Sequence, residues 1–255
     1  MTWPSVTIEQ YNTFSSSPDG VEKTLLFVGN SKKNKGSGLA GNADSDLDEL
    51  LGTDAGPLKQ CVQSALLNAG QNALFYAAVL PDAGKRKDAT PASEAWQNAI
   101  LAAQETVSVE GVVLTEPVST KDEINAMQAL RQTIISKYQR RIWFILTVAA
   151  NDGSKTWAEY VAGLTELQKG IAAPQIVLVP EIFGAEPGVL AGRLCNSAVT
   201  IADSPARVAT GALTGLKTTE RPKDSAGQAI DLATLQALAT ARYSVPMCSA
   251  DYDGR

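Results

Sequence analysis

Short, continuously apolar runs alternate with amphipathic stretches from Thr24 onward, and this alternation constrains the fold of the 255-residue chain more than any other feature. Residues 24–28 (TLLFV), 73–80 (ALFYAAVL), 112–115 (VVLT), 142–148 (IWFILTV) and 176–179 (IVLV) read as strands. None alternates polar with apolar, so each needs cover on both faces, as in a parallel sheet lying between helices.

Helical stripes fill the intervals. Leu58, Cys61, Val62, Ala65, Leu66 and Ala69 recur at spacings of three and four, as do Trp96, Ala99, Ile100 and Ala103. Two longer stripes run from Ile124 through Met127, Leu130, Ile134 and Ile135 to Tyr138, and from Trp157 through Tyr160, Val161 and Leu164 to Leu167. Thr120 with Glu123, and Thr156 with Glu159, have the spacing of capping boxes, which satisfy free amides in a helix's first turn. Thr90-Pro91 marks a further helix start. Strand followed by helix, repeated at least four times, implies βαβ crossovers and an α/β fold: a mostly parallel sheet with helices on both faces. Residues 198–202 and 243–247 are expected to add edge strands, and residues 229–242 a late helix.

Three stretches break the rhythm. Residues 1–22 form an N-terminal arm in which Val6, Ile8 and Gln10 alternate with Thr7, Glu9 and Tyr11 ahead of a turn-rich Ser-Ser-Ser-Pro-Asp-Gly20. Residues 30–41 read as a flexible Gly/Lys/Asn surface loop. Residues 203–228 read as an irregular excursion. The α/β core is assigned to residues 23–255.

The chain has no histidine, which excludes Ser-His-Asp and Cys-His catalysis and His-ligated zinc. Lys and Arg number 22 against 27 Asp and Glu, a net charge of −5 that argues against a nucleic-acid surface. Cys61, Cys195 and Cys248 are too scattered for a metal or redox motif and are expected to be buried, inert thiols in a reducing compartment. The longest apolar run is too short to cross a bilayer, so a soluble protein without membrane insertion is expected.

Some residues carry enough pattern to be weighed as sites. Gly36, Gly38 and Gly41 spell GxGxxG after a strand, the arrangement that lets a pyrophosphate approach backbone amides. The first glycine lies eight residues past Val28, and an acidic segment with Asp44, Asp46, Asp48 and Glu49 follows, which would repel phosphate. Lys32, Lys33 and Lys35 suit a solvated loop better than a phosphate clamp. The acidic run resembles the opening of a calcium loop, but Glu49 stands in place of the turn glycine and Ala55 in place of the bidentate glutamate, so a charged entry to a turn at residues 47–51 is preferred. Asp82, Glu116, Asp152 and Glu181 each follow a strand's carboxyl end, where open α/β sheets place ligands and where Mg²⁺ could be held. Acidic residues are also favoured there because they cap helices, and the neighbouring Pro81, Pro117 and Pro180 suit turn construction.

The order of segments says more than the chemistry. Leu25-Leu-Phe-Val-Gly-Asn30 leads into a Lys/Gly loop, then Asp46-Leu-Asp-Glu-Leu-Leu-Gly52 and Pro57-Leu-Lys-Gln-Cys-Val-Gln-Ser-Ala-Leu-Leu-Asn-Ala-Gly70. The chain closes on Ala239-Thr-Ala-Arg-Tyr-Ser-Val-Pro-Met-Cys-Ser249 and Asp251-Tyr-Asp-Gly-Arg255. This layout resembles the N-terminal α/β portion of contractile phage tail sheath proteins and related contractile injection systems. The resemblance implies a structural, self-assembling subunit that stacks in helical rings around a tail tube protein. It implies no cofactor, no metal and no catalytic residue, a place in the virion tail, and assembly in the host cytoplasm. It also implies that residues 6–11, with Val6, Ile8 and Tyr11, act as an interaction strand extending another subunit's sheet. A tube-contacting domain and terminal arm usual in that family are not recognised after Met247, so a fragment is expected. The alternative is a nucleotide- or Mg²⁺-dependent α/β enzyme using the glycine loop or the strand-end carboxylates.

Overall fold

The computed structural model describes residues 24–70, 73–81, 92–196 and 213–246. Six strands form one sheet: β1 (Leu25–Gly29), β2 (Gly38–Asn42), β3 (Leu74–Val79), β4 (Gly111–Val118), β5 (Trp143–Val148) and β6 (Ile176–Pro180). Their order is β2-β3-β1-β4-β5-β6, parallel throughout except for β2, which runs antiparallel to β3. The helices are α1 (Leu47–Leu51), α2 (Pro57–Ala69), α3 (Ala92–Thr106), α4 (Lys121–Tyr138), α5 (Trp157–Gln168), α6 (Glu186–Cys195) and α7 (Leu232–Thr240).

The unbroken apolar character of the strands has a direct cause. Along β1, Leu26 and Val28 enter one core while Leu25 and Phe27 enter the other. Along β5, Phe144, Leu146 and Val148 alternate with Ile145 in the same way. The larger core meets Trp96 and Ile100 of α3, Ile124, Met127, Leu130 and Ile134 of α4, Trp157, Tyr160 and Leu164 of α5, and Leu235 and Leu238 of α7. The smaller core meets Leu51 of α1, Leu58, Cys61, Val62 and Ala65 of α2, and Ala191 of α6. Each such buried Leu, Ile or Phe contributes roughly 1.5–3 kcal/mol by leaving water.

Both capping boxes form. Thr120 Oγ1 accepts from the Glu123 amide and Glu123 accepts from the Thr120 amide at 3.0 Å. Thr156 and Glu159 do the same at the start of α5.

The structure corrects several expectations. Gly38–Asn42 lies within the stretch expected to be a flexible loop and forms strand β2, because its backbone pairs with Leu74–Ala78 of β3. Residues 47–51, expected to be a turn, make a short helix because the Asp46 carboxylate caps the Asp48 and Glu49 amides. Helix α6 was not anticipated. Its run, EPGVLAGRLC, is interrupted by glycines, and it is buried between α2 and strands β4, β5 and β6. No strand forms at residues 243–246. Tyr243 makes a single parallel bridge to Leu178, and its hydroxyl donates to the Leu164 carbonyl at 2.8 Å. Pro117 sits inside β4 where the register with β5 shifts, and Pro180 closes β6, so neither builds a separate turn. Residues 6–11, 198–202, Asp82 and Thr90-Pro91 lie outside the described residues.

Residues 213–228 contain no helix or strand, yet they are fastened to the body. Ser64 Oγ donates to Gly215 O at 2.6 Å and Asn68 Nδ2 to Thr214 O at 2.9 Å. Asp224 accepts from the amides of Trp157 at 3.1 Å and Gln228 at 2.8 Å.

Candidate functional site

In an open α/β sheet the crevice for a ligand opens at the carboxyl ends of strands where connections turn to opposite faces. Here that point lies between β1 and β4, the strands flanking the reversal in order. There the two strands are in close side-chain contact. Thr115 Oγ1 donates to Val28 O at 3.1 Å and presses against Gly29, where a Cβ would stand 1.9 Å from that hydroxyl.

The GxGxxG segment is also engaged. Gly36 N donates to Val79 O and Val79 N to Ser37 O, each at 2.9 Å, and Gly38 to Asn42 continue this ladder. These amides bond strand β3 rather than standing open to a phosphate. Lys33 Nζ reaches the Asp48 and Glu49 carbonyls at 3.2 and 3.4 Å, and Asn34 Nδ2 reaches Leu50 O at 2.8 Å, so the basic loop caps the carboxyl end of α1. Lys32 pairs with Asp54 at 2.7 Å, and its hydrogen bond and charge hold that exposed carboxyl below its usual value. In the acidic run, Asp46 caps α1 and Asp48 pairs with Lys59.

The described strand-end carboxylates, Glu116, Asp152 and Glu181, each have separate surroundings. Glu116 accepts the Trp96 indole N–H. Asp152 is exposed and accepts from Ser154 N at 2.9 Å; the Ser154 bonds keep its carboxyl below the usual value. Glu181 is half-buried, and burial raises its carboxyl against an opposing bond from Ala185. Among the described residues, no three His, Cys, Asp or Glu side chains stand together as a metal site.

One acidic group escaped sequence reasoning. Glu186, in the first turn of α6, is 4% exposed and accepts from the Phe183 amide, while its Oε2 has no hydrogen-bond partner. Burial pushes its carboxyl up to about 7. Only the turn Phe183-Gly-Ala-Glu-Pro187 hinted at a helix start. Cys61 is buried against α6 with its thiol raised by burial, whereas Cys195 is half-buried at the end of α6 rather than fully enclosed. Cys248 lies outside the described residues.

A groove of about 770 Å³ lies between α3 and the β2–β3 edge. Its walls are mostly small: Gly38, Ala40, Ala78, Ala95, Ala99 and Ala102. Glu94, Asn98, Ser37 and Thr106 add polar groups to that lining.

Residues 3–255 match the family described as DUF2586, N-terminal domain. The chain belongs to that family. Among the relatives of this DUF2586 domain is a Haemophilus phage HP1 (strain HP1c1) protein named "Putative tail sheath protein", 41% identical over 257 residues. The match takes in 99% of this chain, and the chain spans 66% of that relative's length. A solved structure, the sheath tail protein from Desulfitobacterium hafniense, is similar at a TM-score of 0.39 and 12% identity, over 69% of this chain and 56% of that one. Among the described residues, no helix is long and apolar enough to cross a membrane.

Proposed function

We propose that this chain is a structural component of a contractile phage tail sheath, acting by assembly rather than catalysis. The observation that carries the reading is the 41% identity to the named phage relative, sustained over 99% of the chain. The geometry is compatible with it: Asp46 serves a helix cap, Asp152 a turn, and Glu116 accepts the Trp96 indole N–H.

In this reading copies of the protein associate with one another around a tail tube protein, in the virion tail, after assembly in the host cytoplasm. Val6, Ile8 and Tyr11 provide contacts between subunits in the assembled sheath. The closed α/β body acts as a rigid block, and contraction repositions such blocks without unfolding them. The test is to express the complete gene product and examine it by negative-stain electron microscopy. Helical tubes or stacked rings support the reading; dispersed particles at all concentrations and salt conditions contradict it.

A further inference from the structure

The turn between β6 and α6 is held from two sides through one residue. The Glu186 carboxyl accepts from the Phe183 amide, while the Phe183 carbonyl accepts from Thr218 N at 3.0 Å. The next carbonyl, Gly184 O, accepts from Lys217 N at 3.2 Å. Lys217 and Thr218 follow directly on Thr214 and Gly215, whose carbonyls are tied to Asn68 and Ser64 of α2. Residues 214–218 therefore form a strap laid across α2 and the turn that starts α6.

The turn itself has a costly backbone. Gly184 and Ala185 both take left-handed conformations, with φ of 82° and 67°. Alanine meets a steric penalty there that glycine escapes. A Cβ at Gly184 would stand 2.7 Å from that of Lys217, so the strap also leaves no slack above the turn. Such a shape persists only while its surroundings hold it. Here the surroundings are the two strap bonds and the bond into Glu186.

Glu186 holds the turn under a condition. Its Oε2 is buried without a hydrogen-bond partner, and an orphaned oxygen costs more as part of a charge than as part of a neutral acid. Burial raises this carboxyl against the amides that lower it, and the charge of Glu181 in the same turn raises it further. Tyr160 of α5, raised by its own burial, feels both Tyr243 and Glu186. Glu181 is in turn eased by the charge of Lys217 on the strap, and it adds to the effect of burial on the Cys61 thiol of α2. Arg193 follows on α6 itself.

We infer that the turn at residues 183–186 is a proton-controlled latch: Glu186 in its neutral form keeps strap residues 214–218 seated, and its ionisation releases them. On release the carboxylate reaches water, Ala185 leaves its left-handed conformation, and Lys217 N and Thr218 N lose their acceptors together. The α2–α6 contact stays in place, because Gly188 and Gly192 lie beyond the turn. The latch stands on the turn and the strap and does not depend on the sheath reading.

The experiment is amide hydrogen exchange on the full chain by NMR, corrected for the intrinsic effect of pH and repeated in low urea. Lys217 and Thr218 should open about tenfold more often at pH 8 than at pH 5, by a route that low urea does not accelerate. Val113 of β4 should exchange only by the urea-sensitive global route. Glu186→Gln should abolish the pH response of the strap. In the unmodified chain, the rise in strap opening should level off where the Glu186 carboxyl carbon finishes its titration. Strap opening that ignores pH, that keeps its pH response in Glu186→Gln, that follows only the urea-sensitive route, or that levels off away from the Glu186 titration overturns the proposal.

Discussion

Gly188 of α6 lies so close to Cys61 of α2 that a Cβ at position 188 would stand 2.2 Å from the Cys61 carbonyl oxygen. One turn further on, Gly192 meets the Ala65 carbonyl at the same 2.2 Å. The two glycines form a smooth strip on which α2 rests, and this contact closes the smaller core. Gly188→Ala and Gly192→Ala should each destabilise the protein by about 2–3 kcal/mol, since neither backbone can yield cheaply. Urea denaturation monitored by circular dichroism checks this; losses below about 0.5 kcal/mol would mean the helices can separate without penalty.

The same reasoning separates two adjacent aromatics on β5. Phe144 is fully buried, so Phe144→Ala should cost about 3–5 kcal/mol. Trp143, at the start of the strand, is half-buried, and its ring lies over Gly111. Trp143→Ala should therefore cost distinctly less than Phe144→Ala in the same denaturation experiment.

Strands β1, β3, β4, β5 and β6 and helices α2, α3, α4, α5 and α7 were legible because period and capping are local properties. Apolar runs name a two-sided sheet, and Thr120 with Glu123 or Thr156 with Glu159 name helix starts directly. Helix α6 was hidden because the glycines that allow its contact with α2 lower its apparent helicity, and their value exists only in the tertiary pair. Strand β2 was hidden for a related reason: Gly-Leu-Ala-Gly-Asn has weak strand propensity and is held by pairing with β3. Glu186 could not be read as buried, because burial of a glutamate follows from packing and not from its own pattern. The family was legible in segment order, although the groove, a product of folding, was not.

Capping contributes measurably. Thr120→Ala and Thr156→Ala should each lose about 1 kcal/mol, because each removes an acceptor for a first-turn amide. Combined, the losses should add, since the two boxes begin different helices.

Glu186 sets a pH dependence. Its folded carboxyl is raised by burial from 4.5 to about 7, so the folded state holds a proton that the unfolded state has released. Below pH 4.5 both states are protonated and the group imposes no penalty. As pH rises from 4.5 through about 7 the penalty of a buried carboxylate develops, of order 1–3 kcal/mol, and stability falls. Glu186→Gln should flatten this part of the profile. Thermal melts at pH 5 and pH 8 test it: equal slopes for the wild type and the variant would show that Glu186 does not hold its proton.

The proposed role in assembly rather than catalysis is testable on the carboxylates. Glu116→Ala, Asp152→Ala and Glu181→Ala should leave melting temperatures equally unresponsive to Mg²⁺, ATP and NAD, as in the wild type. A rise on adding any of these ligands, abolished by the substitutions, would restore the enzyme reading.

The central claim concerns a place in the virion, and immunogold electron microscopy of phage particles that carry this gene tests it most directly. With antibody raised against the α/β body, gold should decorate the tail along its whole length and crowd into a shorter zone when the tail contracts. Label confined to the head or the tail tip, or absent from intact tails, would contradict the sheath assignment.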